Sequence, residues 1–207
     1  MIWASAKPQS LPERYVDLGS IGQGSMGEVR RVRDTVLDCD VAIKLLSHEL
    51  SERSASRVRF RTEAEITARL QHPSIVEIHD YGKLEDGRPW FTMQYVDGRT
   101  LRVLVADVHR VSVGGWRTSA SGWNLRRLIE ALTRVASAVG FAHDNQVLHR
   151  DIKPSNIMAG QHGEVLLMDW GIAKGLGVDS VLNDVQVPTS RRVHRTIDGL
   201  AIGTPPY

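Results

Sequence analysis

Apolar residues along the chain change their spacing several times, and each change marks an element. From Tyr15 to Leu46 they come in short runs. Tyr15, Val16, Leu18 and Ile21 lead into a glycine-rich turn, Val29 and Val32 leave it, and Val41–Leu46 forms a third run. This texture predicts a hairpin followed by one more strand. From Ser54 to Leu70 the spacing becomes helical, with Phe60, Ala64, Thr67 and Ala68 three or four residues apart and Pro73 as the stop. Ile75–Tyr81 and Trp90–Val96 then predict a second hairpin about the turn Glu85-Asp86-Gly87. Five strands and one helix make a first part ending near Val96.

Beyond Gly98 the helical spacing returns. Leu101, Leu104 and Val105 start a short helix, and the polar stretch Ser112–Gly122 reads as a solvated loop. The strongest helix follows, capped by Asn124. It carries an apolar stripe of Leu125, Leu128, Ile129, Leu132, Val135, Ala136 and Val139. Short apolar runs at Val147-Leu148, Ile157-Met158 and Val165–Met168 alternate with turns. The organisation expected is a mobile lead-in over 1–14, a β-rich part over 15–96 and a mainly helical part over 97–207, with the seam near Gln94–Gly98.

Composition alters this picture little. A net charge of +2 over 207 residues gives no reason to expect nucleic acid or a membrane surface as partner. No apolar run reaches the roughly 18 residues that span a bilayer, so no membrane segment is expected within the chain. The first residues hold Lys7, Pro8 and Pro12 without an apolar core and do not resemble a secretion signal. A single cysteine, Cys39, fits a reducing, cytoplasmic setting.

The candidate chemistry lies in four places. Gly22-Gln23-Gly24-Ser25-Met26-Gly27-Glu28-Val29 fits G-x-G-x-x-G-x-V, a pattern that lets backbone N–H groups approach phosphates. A dinucleotide site would need a helix directly after the last glycine, whereas Val29–Val32 continues as a strand. Lys44 ends the apolar strand Val41-Ala42-Ile43, where a charge needs a partner; Glu63 and Glu65 on the next helix are candidates. His149-Arg150-Asp151-Ile152-Lys153-Pro154-Ser155-Asn156, answered by Asp169-Trp170-Gly171, supplies two acids, a cation and an amide within a short span. Phosphoryl transfer needs groups of this kind to orient a hydroxyl, hold metal and neutralise moving charge.

Taken in order, these pieces resemble the protein kinase family, and their texture is similar to its bacterial Ser/Thr branch. The resemblance runs from about Tyr15 to Tyr207. It implies an α+β, two-lobe fold, with a five-stranded antiparallel sheet and one helix in the N-lobe and a mainly helical C-lobe. It implies ATP and Mg²⁺ as cofactors and protein Ser/Thr hydroxyls as substrate. Ile21, Gly22, Gln23, Gly24, Ser25, Met26, Gly27, Val29, Ala42, Lys44 and Met158 would surround the nucleotide. Met93 would be the gatekeeper, and Gln94, Tyr95 and Val96 the hinge that bonds adenine through its backbone. Lys44 would hold the α- and β-phosphates and pair with Glu63, preferred over Glu65 because Phe60–Ala64 matches the family helix in register. Asp151 would orient the hydroxyl and take its proton, Lys153 would neutralise the γ-phosphate, and Asn156 with Asp169 would ligate Mg²⁺.

Arg150 directly before Asp151 implies control by phosphorylation, and Thr196, among Arg191, Arg192 and Arg195, is the expected autophosphorylation site. Trp170 stands where the family carries phenylalanine and is read as a tolerated aromatic exchange. The last residues, Gly203-Thr204-Pro205-Pro206-Tyr207, come before the family's Ala-Pro-Glu-like element. The expectation is therefore a catalytic domain cut short in its C-lobe, with little turnover from these 207 residues alone. The alternative is a kinase-like nucleotide-binding or scaffolding module without catalysis. A small-molecule phosphotransferase fits less well, because of the His-Arg-Asp-x-Lys context.

Overall fold

A computed structural model describes residues 11–24 and 26–171 in full and the backbone of 174–175. It divides into two compact units: the chain up to Arg61 together with Ile78–Tyr95, and Thr62–Glu77 together with the chain from Val96. The architecture is α+β in two lobes: a five-stranded antiparallel sheet with a helix in the first, and a mainly helical second.

In the first unit, β1 (Tyr15–Gly24), β2 (Gly27–Asp34), β3 (Cys39–Leu46), β4 (Ile78–Lys83) and β5 (Pro89–Gln94) form one sheet in the order β1-β2-β3-β5-β4. The alternation of β3 explains its central place. Val41, Ile43 and Leu45 enter a core with Tyr15, Val32, Leu84 and Trp90, while Ala42 and Leu46 are buried on the other face. That second face carries Lys44 beside Phe91, and Phe91 packs at 4.9 Å on Phe60 of helix α2 (Ser54–Arg69). Helix α1 (His48–Ser51) is a single turn capped by Ser47, too short for periodicity to reveal. The turn after β2 is held by Asp34, whose carboxylate accepts from Arg14 at 2.6 Å and from the backbone of Val36 and Leu37. The Arg14 hydrogen bond, with those amides, lowers its pKa to about 2.

Gly27 has a structural role. Its φ is +154°, and a Cβ there would overlap the Leu45 carbonyl oxygen on the neighbouring strand. Gly22 differs: nothing lies within 4 Å of where its Cβ would stand, and its φ is not positive.

In the second unit, α3 (Leu101–Val111) and α4 (Leu125–Asp144) pack on the short strands β6 (Gly98–Thr100), β8 (Ile157–Gly160) and β9 (Val165–Leu167), while β7 (Val147–Leu148) pairs with β10 (Lys174–Gly175). Asn124 caps α4 as expected, its Oδ1 accepting from the Arg127 amide at 3.1 Å. The buried stripe of α4 differs from the expected one. Leu128, Ala131, Val135, Ala138 and Ala142 are inside, whereas Ile129 and Leu132 are 54% and 53% exposed. Three of the buried residues are alanines, whose small side chains let neighbouring backbones approach closely. The loop after α3 is mostly exposed, yet it is anchored: Ser119 and Trp123 are buried, and the Ser119 amide donates to the Trp123 carbonyl at 2.7 Å.

Two strand limits also move. The fourth strand begins at Ile78 rather than Ile75; Ile75 instead makes a parallel bridge with Leu167, next to the bond from the Leu167 amide to the Ser74 carbonyl. The fifth ends at Gln94 rather than Val96.

Candidate active site

The loop from His149 to Asn156 starts where β7 ends and closes in a 3-10 turn, Pro154–Asn156, whose first position suits proline because no N–H is needed there. His149 is 2% exposed, and its two ring nitrogens meet partners that define the tautomer. Nε2 donates to the Met168 carbonyl at 3.0 Å, and Nδ1 accepts from the Asp151 amide at 3.2 Å. A carbonyl can only accept and an amide N–H can only donate, so the ring is neutral with its proton on Nε2. Burial agrees with this, since it pushes the imidazole pKa down. The histidine therefore ties the residue before Asp169 to the backbone of Asp151.

Asp151 is held from two further directions. Its Oδ2 accepts from Lys153 Nζ at 2.6 Å and from Asn156 Nδ2 at 3.1 Å. Asn156 Nδ2 also donates to the Asp151 carbonyl at 3.0 Å, and the Asn156 carbonyl accepts from the Met168 amide at 2.8 Å. Since its NH₂ group is engaged by Asp151, Asn156 keeps its amide oxygen as the donor atom for a cation. Arg150 (φ +66°) and Asp169 (φ +61°) both occupy the left-handed region, which is uncommon for arginine and more accessible to aspartate. Such backbone strain concentrates at functional sites.

Glu63, Asp169 and Gly171 converge in the same unit. A Cβ on Gly171 would stand 3.1 Å from Glu63 Oε2 and 3.2 Å from Asp169 Oδ1. Two carboxylates facing one glycine make a locus that favours cations. Glu63 is 4% exposed and Glu65 is exposed, so the buried acid of α2 is Glu63. Trp170 is buried against His149, with ring centroids 4.5 Å apart, and its indole N–H donates to the Leu167 carbonyl at 3.4 Å. The larger ring thus finds both a packing surface and an acceptor.

In the first unit, strand pairing sets Val29 opposite Lys44 and Ala42 opposite Met93, so these four share one face of the sheet. Lys44 Nζ lies 5.7 Å from the Phe91 ring centroid. Gly22, Gln23 and Gly24 are exposed on the β1–β2 pair, as is Ile21, while Met26 offers its carbonyl to the Ser47 amide at 3.0 Å. Gln94 is half-buried at the end of β5. In the second unit, Met158 is half-buried on β8 opposite Leu166, and Val96 is half-buried ahead of β6. Ser25 and Thr196 lie outside the described residues.

One arrangement near these positions was not anticipated from sequence. Arg31 of β2 lies over the ring of Tyr95, 4.6 Å from its centroid. The signal was available, because Arg31 is two residues past Val29 and strand alternation puts both on one face.

The donor set suits a hard cation. Asn156 and Asp169 offer oxygens, and Mg²⁺ characteristically takes one or two carboxylates with the rest from water and phosphates. Among the described residues no cluster of three or more His, Cys, Asp or Glu side chains could hold a metal alone. Among the same residues no helix is long and apolar enough to cross a membrane.

Comparisons with known proteins bear on the family of the chain. The family model described as the protein kinase domain matches residues 15–191. The chain is 39% identical over 173 residues to the serine/threonine-protein kinase PknB of Mycolicibacterium smegmatis, covering 82% of this chain and 26% of that protein. It is 34% identical over 199 residues to PknD of Chlamydia caviae, covering 94% of this chain and 21% of that one. The crystal structure of the Mycobacterium tuberculosis PknI kinase domain, in a mutant form, superposes with a TM-score of 0.61 at 32% identity, covering 81% of this chain and 64% of that one. The chain thus spans about a quarter of the length of the curated relatives it matches. Motif, fold and similarity lead to one assignment: the chain belongs to the protein kinase domain family, in the neighbourhood of bacterial Ser/Thr kinases.

Proposed function

We propose that this chain carries out the phosphoryl-transfer chemistry of a Ser/Thr protein kinase, moving the γ-phosphate of ATP to hydroxyls of a protein substrate. The observation that carries the reading is the bracing of Asp151 by Lys153, Asn156 and the His149 ring. A residue whose carboxylate accepts from Lys153 and Asn156 while its backbone amide donates to His149 is preorganised to orient a hydroxyl, which is most of what this reaction asks of a protein. The main work of Asp151 is therefore positioning. The hydroxyl proton passes to Asp151 late, as the oxygen loses basicity in bonding to phosphorus.

Lys153, already beside Asp151, would balance negative charge on the transferring phosphoryl group, and Lys44 would do so on the α- and β-phosphates. Asn156 and Asp169 are the residues that would hold Mg²⁺, whose contribution is to neutralise the phosphate oxygens. Gly22 supports the nucleotide reading: neither packing nor backbone angle requires glycine there, whereas close approach of a phosphate does. The names of the relatives support serine and threonine as acceptors, and autophosphorylation at Thr196 belongs to the same proposal.

The test is transfer of ³²P from γ-labelled ATP to a generic basic protein, by a polypeptide carrying this chain together with the helices that follow this segment in the family. We expect Mg²⁺-dependent transfer that falls by about 10²–10⁴-fold in Asp151→Asn. Undiminished transfer in that variant would overturn the assigned role. Nucleotide binding without any transfer would favour the scaffolding alternative.

A further inference from the structure

Strand β2 sends Val29, Arg31 and Arg33 to one side of the sheet, opposite Lys44, Ala42 and Asp40 of β3. Phe91 and Met93 of β5 continue that face, and Tyr95 comes two residues later. An arginine on such a strand ordinarily extends into water. Arg31 does not. Its Nε donates to Asp40 Oδ2 at 2.6 Å, and its guanidinium carbon stands 4.6 Å from the Tyr95 ring centroid. Asp40 is fixed in turn by Arg33 Nε at 2.8 Å. The side chain of Asp40 is 14% exposed and that of Arg31 is 42% exposed, so the inner end of this ladder is sheltered and its outer end is wet.

A plain surface ion pair would explain the Arg31–Asp40 contact, but it would leave the guanidinium plane free to turn. Here the carboxylate grips the Nε edge while the guanidinium carbon stands over the ring, within the range of a cation–π contact. Tyr95 belongs to the segment read above as bonding adenine through its backbone. We infer that Arg31 is a positioning residue for the nucleotide base: clamped by Asp40, it holds the Tyr95 ring and so immobilises the backbone at Gln94 and Tyr95. This inference rests on the kinase reading of that segment. A backbone immobilised before binding loses less freedom when the base docks, so the effect belongs to affinity for ATP and not to the transfer step.

The experiment measures equilibrium binding of a fluorescent ATP analogue with Mg²⁺, together with KM for ATP and kcat, in the same polypeptide used for phosphotransfer. Arg31→Met and Tyr95→Leu each weaken binding by about two- to five-fold, the worth of an exposed cation–π contact. The double variant is no weaker than either single one, because both remove the same contact. KM for ATP rises in step while kcat stays, and Tyr95→Phe, which keeps the ring, retains parental binding. A side chain needed only for folding would lower the melting temperature and kcat together. Parental binding in Arg31→Met, or losses that multiply in the double variant, would overturn the inference and leave the kinase reading standing. A parent polypeptide unable to bind the analogue would overturn the kinase reading itself, and this inference with it.

Discussion

In the first unit, residues Ile21–Gly24 stand in solvent, and Gly22 has nothing within 4 Å of where a side chain would begin. In the second, His149 is 2% exposed and both its ring nitrogens are engaged, while Asp151 accepts from Lys153 and Asn156. Both segments are glossed by the same family resemblance as phosphate-handling parts, yet they are made in opposite ways. The loop at Asp151 is cross-braced by side-chain hydrogen bonds, which would suit the orienting role proposed for it. The stretch Ile21–Gly24 carries almost no packing of its own, which would suit a backbone that closes on phosphates. On the proposed reading, the braced segment lies where atoms would react and the open one where a ligand would enter.

The first way to break this comparison is His149→Ala. The substitution empties a buried ring site against Trp170 and leaves the Met168 carbonyl and Asp151 amide without their partner. A loss of about 3–5 kcal/mol is expected in denaturant unfolding, from the cavity and the unpaired polar groups together. A loss below about 1 kcal/mol would mean that the loop is not braced as described.

A smaller effect separates two glycines of one motif. Gly27→Ala forces a Cβ onto the Leu45 carbonyl at φ +154°, and overpacking of this kind costs about 1–3 kcal/mol. Gly22→Ala has open space and an ordinary φ, so its stability stays within about 0.5 kcal/mol of the parent while Mg-ATP binding weakens. Equal destabilisation by the two substitutions would erase the distinction between a packed glycine and one kept open for ligand.

The smallest expected effect is the pH dependence that His149 contributes in the second region. Burial lowers the His149 pKa below its ordinary 6.5. The unfolded chain therefore binds a proton at this residue before the folded protein does. The stabilisation of the neutral ring is complete above about pH 6.5 and is lost as pH falls through the folded-state value. Melting temperature followed downward from neutrality should show this loss, and His149→Gln should flatten that part of the curve. An unchanged slope in the variant would reassign the acid sensitivity to other groups.

Much of the candidate site could be read in advance because its chemistry is written in contiguous segments. Gly22–Val29, Lys44, His149–Asn156 and Asp169–Gly171 are local patterns, and a local pattern survives without coordinates. The choice of Glu63 over Glu65 came from register, and burial of Glu63 with exposure of Glu65 supports it. The face of α4 was less legible. Helical spacing announces an apolar stripe, but Ala131, Ala138 and Ala142 went inside while Ile129 and Leu132 stayed out. Neighbouring backbones decide which way a stripe turns, and periodicity carries no information about them. β6, β7 and β10 are two or three residues long, too short for alternation to register.

By itself the sequence determined which chemical groups this protein carries and their order along the chain, from the glycine-rich turn through Lys44 to Asp151, Asn156 and Asp169. Tertiary structure alone decided what each group is able to do. It placed the proton of His149 on Nε2, set Lys153 and Asn156 on Asp151, and brought Glu63 and Asp169 to Gly171. It also distinguished a glycine needed for packing from one left open, and turned Arg31 onto Tyr95. The physical reason is the same in each case. Tautomer, burial and the space around a Cβ depend on atoms from other parts of the chain, and only folding brings those atoms together.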